Sequence, residues 1–301
     1  MKTKIGPLFN SEGKLTAKSK EMAEILSQQY VNVFSKPSDN NETNNHTNNH
    51  NKSIPPIQIS EELFTKAIDE LSPTAAAGPD GYPAILLKNC KMALSTPLVL
   101  LWTKSISRGI VPDMLKKSVI TPIHKGGSRS AAINYRPISL TSHIIKIFEK
   151  IMRQHIVKYM NGNDLFNNSQ HGFRAGRSCL SQLLEQFDLI LDILDTGANA
   201  DVVYLDFAKA FDKVDHKIVL SKIKNMGITG EIYQWLESFL LNRNQSVIVN
   251  GIISDPQEVL SGVPQGSVLG PLIFLILIGD INNKIIHSIV KSFADDTRAT
   301  K

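Results

Sequence analysis

Cysteine is scarce in this 301-residue sequence, which holds only Cys90 and Cys179. The two are far apart and lack the paired spacing of a metal site, so neither a disulfide framework nor a zinc site follows from them. Long apolar runs are missing as well. The most apolar stretch, 268–278, is too short to span a bilayer and reads as a buried helix. The N-terminus, MKTKIGPLFNSEGK, has no apolar core of a signal peptide, so the Asn-x-Ser/Thr triplets carry no glycosylation meaning. There is no internal repeat, and strands and helices mix without a regular βαβ alternation, so the fold reads as α+β with an antiparallel sheet.

What is present is a chain long enough for one large core or two smaller ones, with 42% hydrophobic residues. Net charge is +5, and its distribution says more than its size. Between Lys116 and Arg177 eleven Lys and Arg stand against two acids, so that stretch carries +9 and the rest of the chain −4. A basic block beside an acidic remainder suits a polyanion partner, and equally suits a solvated basic face.

Helical spacing predicts an amphipathic helix over 16–35, with Met22, Ile25, Leu26, Tyr30 and Val33 on one face. An almost apolar-free, Asn-rich tract follows, giving a flexible linker over 38–56. Ser60 caps a helix carrying Phe64, Ala67, Ile68 and Leu71, and GPDG at 78–81 is a turn. A helix is expected over 97–108 with Pro97 at its first position. Strands are expected at 119–123 and 135–140. Helices follow from 142 to 159, with Ile144, Phe148, Ile151, Met152 and Ile156 inward, and from 178 to 194, with Leu180, Leu183, Leu184, Phe187, Leu191 and Leu194 inward. A short buried strand at 202–205 ends on Asp206. After helices at 213–226 and 231–243 and a strand at 245–250, a glycine-bearing loop at 262–270 leads into the apolar helix. A strand at 288–293 then runs into Ala294, Asp295 and Asp296.

Three acids thus stand at strand ends. A lone strand-end Asp is more often a cap than a ligand. Two adjacent acids repel unless a cation lies between them, and strand ends that converge in one sheet would offer hard oxygen ligands to Mg²⁺ or Mn²⁺. Spacing leaves open whether these strands are neighbours.

Three ordered blocks, YLDFAKAFDKVDH (204–216), SGVPQGSVLGP (261–271) and FADDT (293–297), resemble the palm motifs of reverse transcriptases, and most of all those of non-LTR (LINE-like, jockey-like) retrotransposons. Upstream, GPDGYPAILLK (78–88), TPIHKGGSRSAAINYRPISLTSHIIKIFEK (121–150) and QHGFRAGRSCLSQLL (170–184) resemble the fingers region in order and spacing. The resemblance implies a right-hand polymerase, with an N-terminal helical extension (1–37), the linker, fingers (57–198) and an incomplete palm with an antiparallel sheet (199–301), the thumb missing. It implies an RNA-directed DNA polymerase using two Mg²⁺ or Mn²⁺ ions, an RNA template, a DNA primer or target DNA, and dNTPs, working inside the cell, in the nucleus, with no membrane partner.

By the same resemblance Asp206, Asp295 and Asp296 are catalytic metal ligands, joined by the main-chain carbonyl of Phe207. Phe211 is the aromatic gate against a 2′-hydroxyl. Gln265 and Gly266 flank the incoming nucleotide, Lys125 and Arg136 meet its triphosphate, and Arg174 and Arg177 contact template or primer. The chain stops five residues after Asp296, so the returning strand of the hairpin is expected to be absent and the fragment weak or inactive alone. A non-catalytic nucleic-acid-binding remnant is the competing reading. An RNA-dependent RNA polymerase fits less well, since those enzymes carry Gly where Ala294 stands and Asp where Phe211 stands.

Overall fold

The computed structural model describes residues 5–35 and 52–301. Most of the expected linker lies outside the described residues. Its end, 52–56, is tied down. Ile54 is buried and donates its N–H to Gly227 O at 2.9 Å, and the Tyr159 hydroxyl donates to Lys52 O at 2.8 Å.

A small ladder of β1 (Leu8–Phe9) and β2 (Leu15–Thr16) precedes α1 (Ser19–Val31). Then come α2 (Glu61–Asp69), α3 (Ala84–Asn89), α4 (Lys91–Ser107), β3 (Lys117–His124), β4 (Tyr135–Leu140), α5 (His143–Gly162), α6 (Cys179–Asp195) and β5 (Val202–Leu205). The chain continues with α7 (His216–Asn225), α8 (Gly230–Leu240), β6 (Asn244–Val249), β7 (Ile252–Ile253), β8 (Gln257–Glu258), α9 (Gly270–Ile278), β9 (Ile289–Phe293) and β10 (Asp296–Thr300). The expected cap is in place, the Ser60 side chain accepting from Leu63 N, and Ser142 caps the start of α5 by accepting from Ile144 N. Among the described residues no helix is long and apolar enough to cross a membrane.

The strands form two main sheets. One, in the order β5-β10-β9, is antiparallel throughout. The other, β4-β3-β6-β7 with β8 also on β6, is mixed, because β3 runs parallel to β6. The main core is aromatic at its centre. Trp102 stacks on Phe148 at 4.2 Å, Phe148 meets Trp235 edge-on at 5.0 Å, and Trp235 stacks on Phe239 at 5.5 Å. A second core lies where Met22, Leu26 and Tyr30 of α1 cover Ile120, Val247 and Val249 of the mixed sheet.

Four expectations are corrected here. The returning strand of the last hairpin is present: the five residues after Asp295 form β10, the central strand of its sheet. A two-residue turn, Ala294-Asp295, is enough to reverse the chain, and Thr297 and Ala299 then point inward at period two. The helix placed at 97–108 starts at Lys91 and carries Pro97 inside it. Inward packing of Ser95, Leu98 and Trp102 outweighs the lost hydrogen bond at the proline. β5 is an edge strand, not a buried one: Val203, Tyr204 and Leu205 are exposed, Tyr204 by 70%. Finally, α6 is turned over relative to its apolar stripe. Leu180, Leu184, Phe187, Leu191 and Leu194 face solvent, while Gln182 and Gln186 are buried. Its docking is polar: Gln186 Nε2 donates to Thr300 Oγ1 at 2.6 Å and Glu185 pairs with Lys291. Periodicity identifies an apolar face but not what covers it.

Three buried histidines, His143, His171 and His216, are held below the ordinary imidazole range, in each case first by burial. Between the lowered folded values and the ordinary unfolded value the unfolded chain binds more protons, so stability falls with falling pH. The histidines are therefore expected to lower the thermal midpoint as pH passes below about 6.5. Melting curves at stepped pH of the unaltered chain and of His216→Gln check this, and equal pH slopes in the two proteins would contradict it for His216.

Candidate active site

β5 and β10 pair with Leu205 opposite Thr297, so the next residues outward are Asp206 and Asp296. Asp295 sits in the turn beside them, after Ala294, whose backbone is left-handed at φ +55°. The strand ends that sequence spacing left open are thus neighbours. Asp206 and Asp295 both line an open cavity of about 780 Å³. Asp296 is not part of the cavity wall. It begins β10 and is exposed. Asp206 is exposed too, like the strand it ends, so burial does not force it to be paired.

The opposite wall comes from the mixed sheet. In the β3–β4 hairpin Ile123 opposes Arg136, and Lys125 N donates to Asn134 O at 2.8 Å. Lys125 lies two residues from Ile123 and so falls on the same side as Arg136. Both cations are exposed and line the cavity. Phe207 and Phe211 line it from the segment after β5, Gln265 and Gly266 from the loop before α9, and Tyr30 and Phe34 from the end of α1.

Backbone bonds zip these segments together. Val263 N donates to Phe211 O at 2.9 Å, Gly262 N to Val214 O at 2.8 Å, and Ser139 N of β4 to Gln265 O at 2.8 Å. Gly266 is at φ +123°, and a Cβ there would come within 2.7 Å of Ser139 O, so this approach of loop to strand requires glycine. Phe211 is half-buried, stacked on Phe274 at 4.6 Å and edge-on to Phe173 at 6.0 Å. It is both a core ring and a wall of the cavity.

Two residues here escaped the sequence reading. Asp212 lines the cavity and accepts from Gln265 Nε2 at 2.7 Å, which fixes that amide. Burial pushes its carboxyl up, opposed by the Gln265 bond and by Lys209 and Arg136. Glu149, on α5, is fully buried, and its Oε2 accepts from Val268 N at 2.6 Å and Leu269 N at 3.0 Å, anchoring the far end of the Gln265 loop. The signal for Glu149 was available: it occupies an inward position of the α5 stripe, one residue after Phe148. Nearby, burial holds the Arg243 guanidinium down to about 10, against the opposing pull of Glu149.

Arg174 and Arg177 do not line the cavity. Arg174 Nη1 donates to Asn167 O at 2.8 Å with the guanidinium over the Phe166 ring, and Arg177 donates to Asn168 O. Both hold the 166–178 loop in place.

Neither Asp206 nor Asp295 has a side-chain partner among the described residues. The donor set is oxygen-only and uncompensated, which fits a hard divalent cation. Among the described residues no three acidic, His or Cys side chains converge into a closed metal site. Mg²⁺ does not require one, since it binds through one or two carboxylates and completes its shell with water and substrate phosphates.

The family described as reverse transcriptase (RNA-dependent DNA polymerase) matches residues 123–300. The chain is similar to a probable RNA-directed DNA polymerase from transposon BS of Drosophila melanogaster, 31% identical over 76% of this chain and 25% of the relative. A probable RNA-directed DNA polymerase from transposon X-element of the same species is 34% identical over 63% of this chain and 21% of the relative. The RNA-directed DNA polymerase from mobile element jockey of Drosophila funebris is 29% identical over 77% of this chain and 25% of the relative. The chain thus spans a quarter or less of the length of these relatives.

Proposed function

The chain belongs to the reverse transcriptase family, and we propose that its cavity is a site for RNA-templated DNA synthesis, adding dNMP to a primer 3′-hydroxyl within a non-LTR retrotransposon polymerase. The observation that carries this reading is one cavity with two carboxylates on one wall, Asp206 and Asp295, and two cations on the other, Lys125 and Arg136, none of the four in a side-chain hydrogen bond or salt bridge among the described residues. In this reading the β5-β10-β9 sheet is the palm of a right-hand polymerase, and the segment 57–198 with its β3–β4 hairpin forms the fingers. The N-terminal helix α1 covers the mixed sheet, and Tyr30 near its end reaches the cavity.

Asp206 and Asp295 would hold two divalent ions, Mg²⁺ or Mn²⁺, with the Phe207 carbonyl and Asp296 as the remaining protein oxygens. Bound there, such ions supply hydroxyl acidity and charge neutralisation for phosphoryl transfer. Lys125 and Arg136 grip the triphosphate, the guanidinium as a planar fork and the ammonium as a point charge. Phe211, braced by Phe274, stands against the sugar and leaves no room for a 2′-hydroxyl. Gln265, its amide fixed by Asp212, borders the incoming nucleotide, and Gly266 lets the backbone come close. The basic surface between Lys116 and Arg177, with Arg174 and Arg177 at its end, favours the phosphates of template and primer.

Calorimetric titration of the purified chain with dTTP, with and without Mn²⁺, tests the reading. Binding is expected to need Mn²⁺, to vanish in Asp206→Ala, and to weaken at least about tenfold in Arg136→Ala, the loss of one charge-assisted contact. Binding that ignores both Mn²⁺ and Asp206→Ala would instead support the binding-remnant reading.

A further inference from the structure

The hairpin that carries Asp295 is an unusual place for alanine. Ala294 is left-handed, a conformation that glycine adopts freely and that residues with a Cβ avoid. Something must hold the turn, and the surroundings of Ala294 show what does. Gln170 is buried, and its side-chain amide brackets the alanine. Gln170 Oε1 accepts from Ala294 N at 2.8 Å, while Gln170 Nε2 donates to Ala294 O at 3.1 Å. One carboxamide thus makes the paired bonds that a neighbouring strand would make. The same Oε1 accepts from Gly172 N at 2.7 Å, which fixes the amide from its own chain.

The backbone extends the contact. His171 N donates to Ser292 O and Ser292 N donates to Ser169 O, each at 2.9 Å, so 169–171 runs beside β9 as a parallel bridge. Gly172 completes the dock: a Cβ there would lie 2.8 Å from Ala294 Cα. The segment carrying these groups is the start of the QHGFRAGRS block, whose two arginines also brace their own loop.

We propose that Gln170 is a positioning residue for the ion site. Its amide locks the Ala294-Asp295 turn, and the locked turn keeps the Asp295 carboxylate in line with Asp206 before any ion arrives. Without the bracket the hairpin still pairs through β9 and β10, but its tip is free to move and the two carboxylates no longer share a fixed geometry. This rests on the reading of Asp206 and Asp295 as ion ligands.

The test is Mn²⁺ binding by the full 301-residue chain, followed by calorimetry, in Gln170→Leu, Gln170→Glu and Asp206→Ala. Removing a group that orients a ligand weakens metal binding by about 10–100-fold, and that loss is expected in Gln170→Leu with the circular-dichroism spectrum unchanged. Gln170→Glu keeps both acceptor bonds but sets a carboxylate oxygen against Ala294 O, so it is expected to be no better. Wild-type Mn²⁺ affinity in Gln170→Leu, with binding lost in Asp206→Ala, overturns the proposal. Undiminished binding in Asp206→Ala overturns the underlying site reading instead. Should both Gln170 variants fail to fold, amide exchange in the unaltered chain decides: a protected Ala294 N–H supports the bracket, and free exchange refutes it.

Discussion

Trp235→Ala is expected to destabilise the chain by about 3–5 kcal/mol, the cost of deleting a large, fully buried aromatic side chain. Trp235 has no exposed surface and touches three aromatic rings, Trp102, Phe148 and Phe239. These join α4, α5 and α8, so the cavity left by alanine would open where three helices meet. The indole N–H also donates to Ser105 Oγ at 3.0 Å, and that hydroxyl would lose its donor. A domain with a total stability of about 5–15 kcal/mol would be left close to its unfolding midpoint. Denaturant melts check this. A loss under about 1 kcal/mol would mean that the cluster repacks and that the core is not centred there.

Glu149→Ala is the second large effect. The carboxylate is completely buried and receives two backbone N–H groups, Val268 and Leu269, from the loop that leads into α9. Each orphaned buried donor costs about 1–3 kcal/mol, so the loss is expected at about 2–6 kcal/mol. Its consequences reach the cavity, because the same loop presents Gln265 and Gly266. Burial pushes the Glu149 carboxyl well above its ordinary value, against the opposing hydrogen bonds and Arg243. Between the ordinary and the raised value the folded chain binds more protons than the unfolded one, so the contribution of Glu149 to stability falls as pH rises through that interval. Glu149→Gln keeps an acceptor for the N–H groups and removes the titration. Its stability relative to the unaltered chain is expected to improve as pH rises from about 4.3. Equal pH slopes in the two proteins would show that Glu149 does not titrate differently on folding.

Much of this was legible in the sequence. The helix starts at Ser60 and Ser142, the turn at 78–81 and the apolar helix before the last hairpin follow from capping groups, glycine placement and period, which act within a few residues. The candidate residues Asp206, Asp295, Lys125, Arg136, Phe211, Gln265 and Gly266 were picked out through ordered motifs, and they line one cavity. The orientation of α6 was not legible. Its apolar stripe is real, yet the side that docks is set by Gln186, Glu185 and their partners on β9 and β10, more than a hundred residues away in the chain. Asp212 and Gln170 were hidden for the same reason. Each looks like an ordinary polar residue until its long-range partner, Gln265 or Ala294, is seen beside it.

By itself, then, the sequence determined the local elements, the basic block and the family to which the motifs belong, because propensity, capping and motif order are properties of short segments. Only the tertiary structure decided which strand ends meet, that the residues after Asp296 form the central strand of their sheet, and that Asp295 rather than Asp296 faces the cavity with Asp206. Those outcomes depend on strand register and on side chains buried between distant segments, and a one-residue change in register would turn every side chain to the other face.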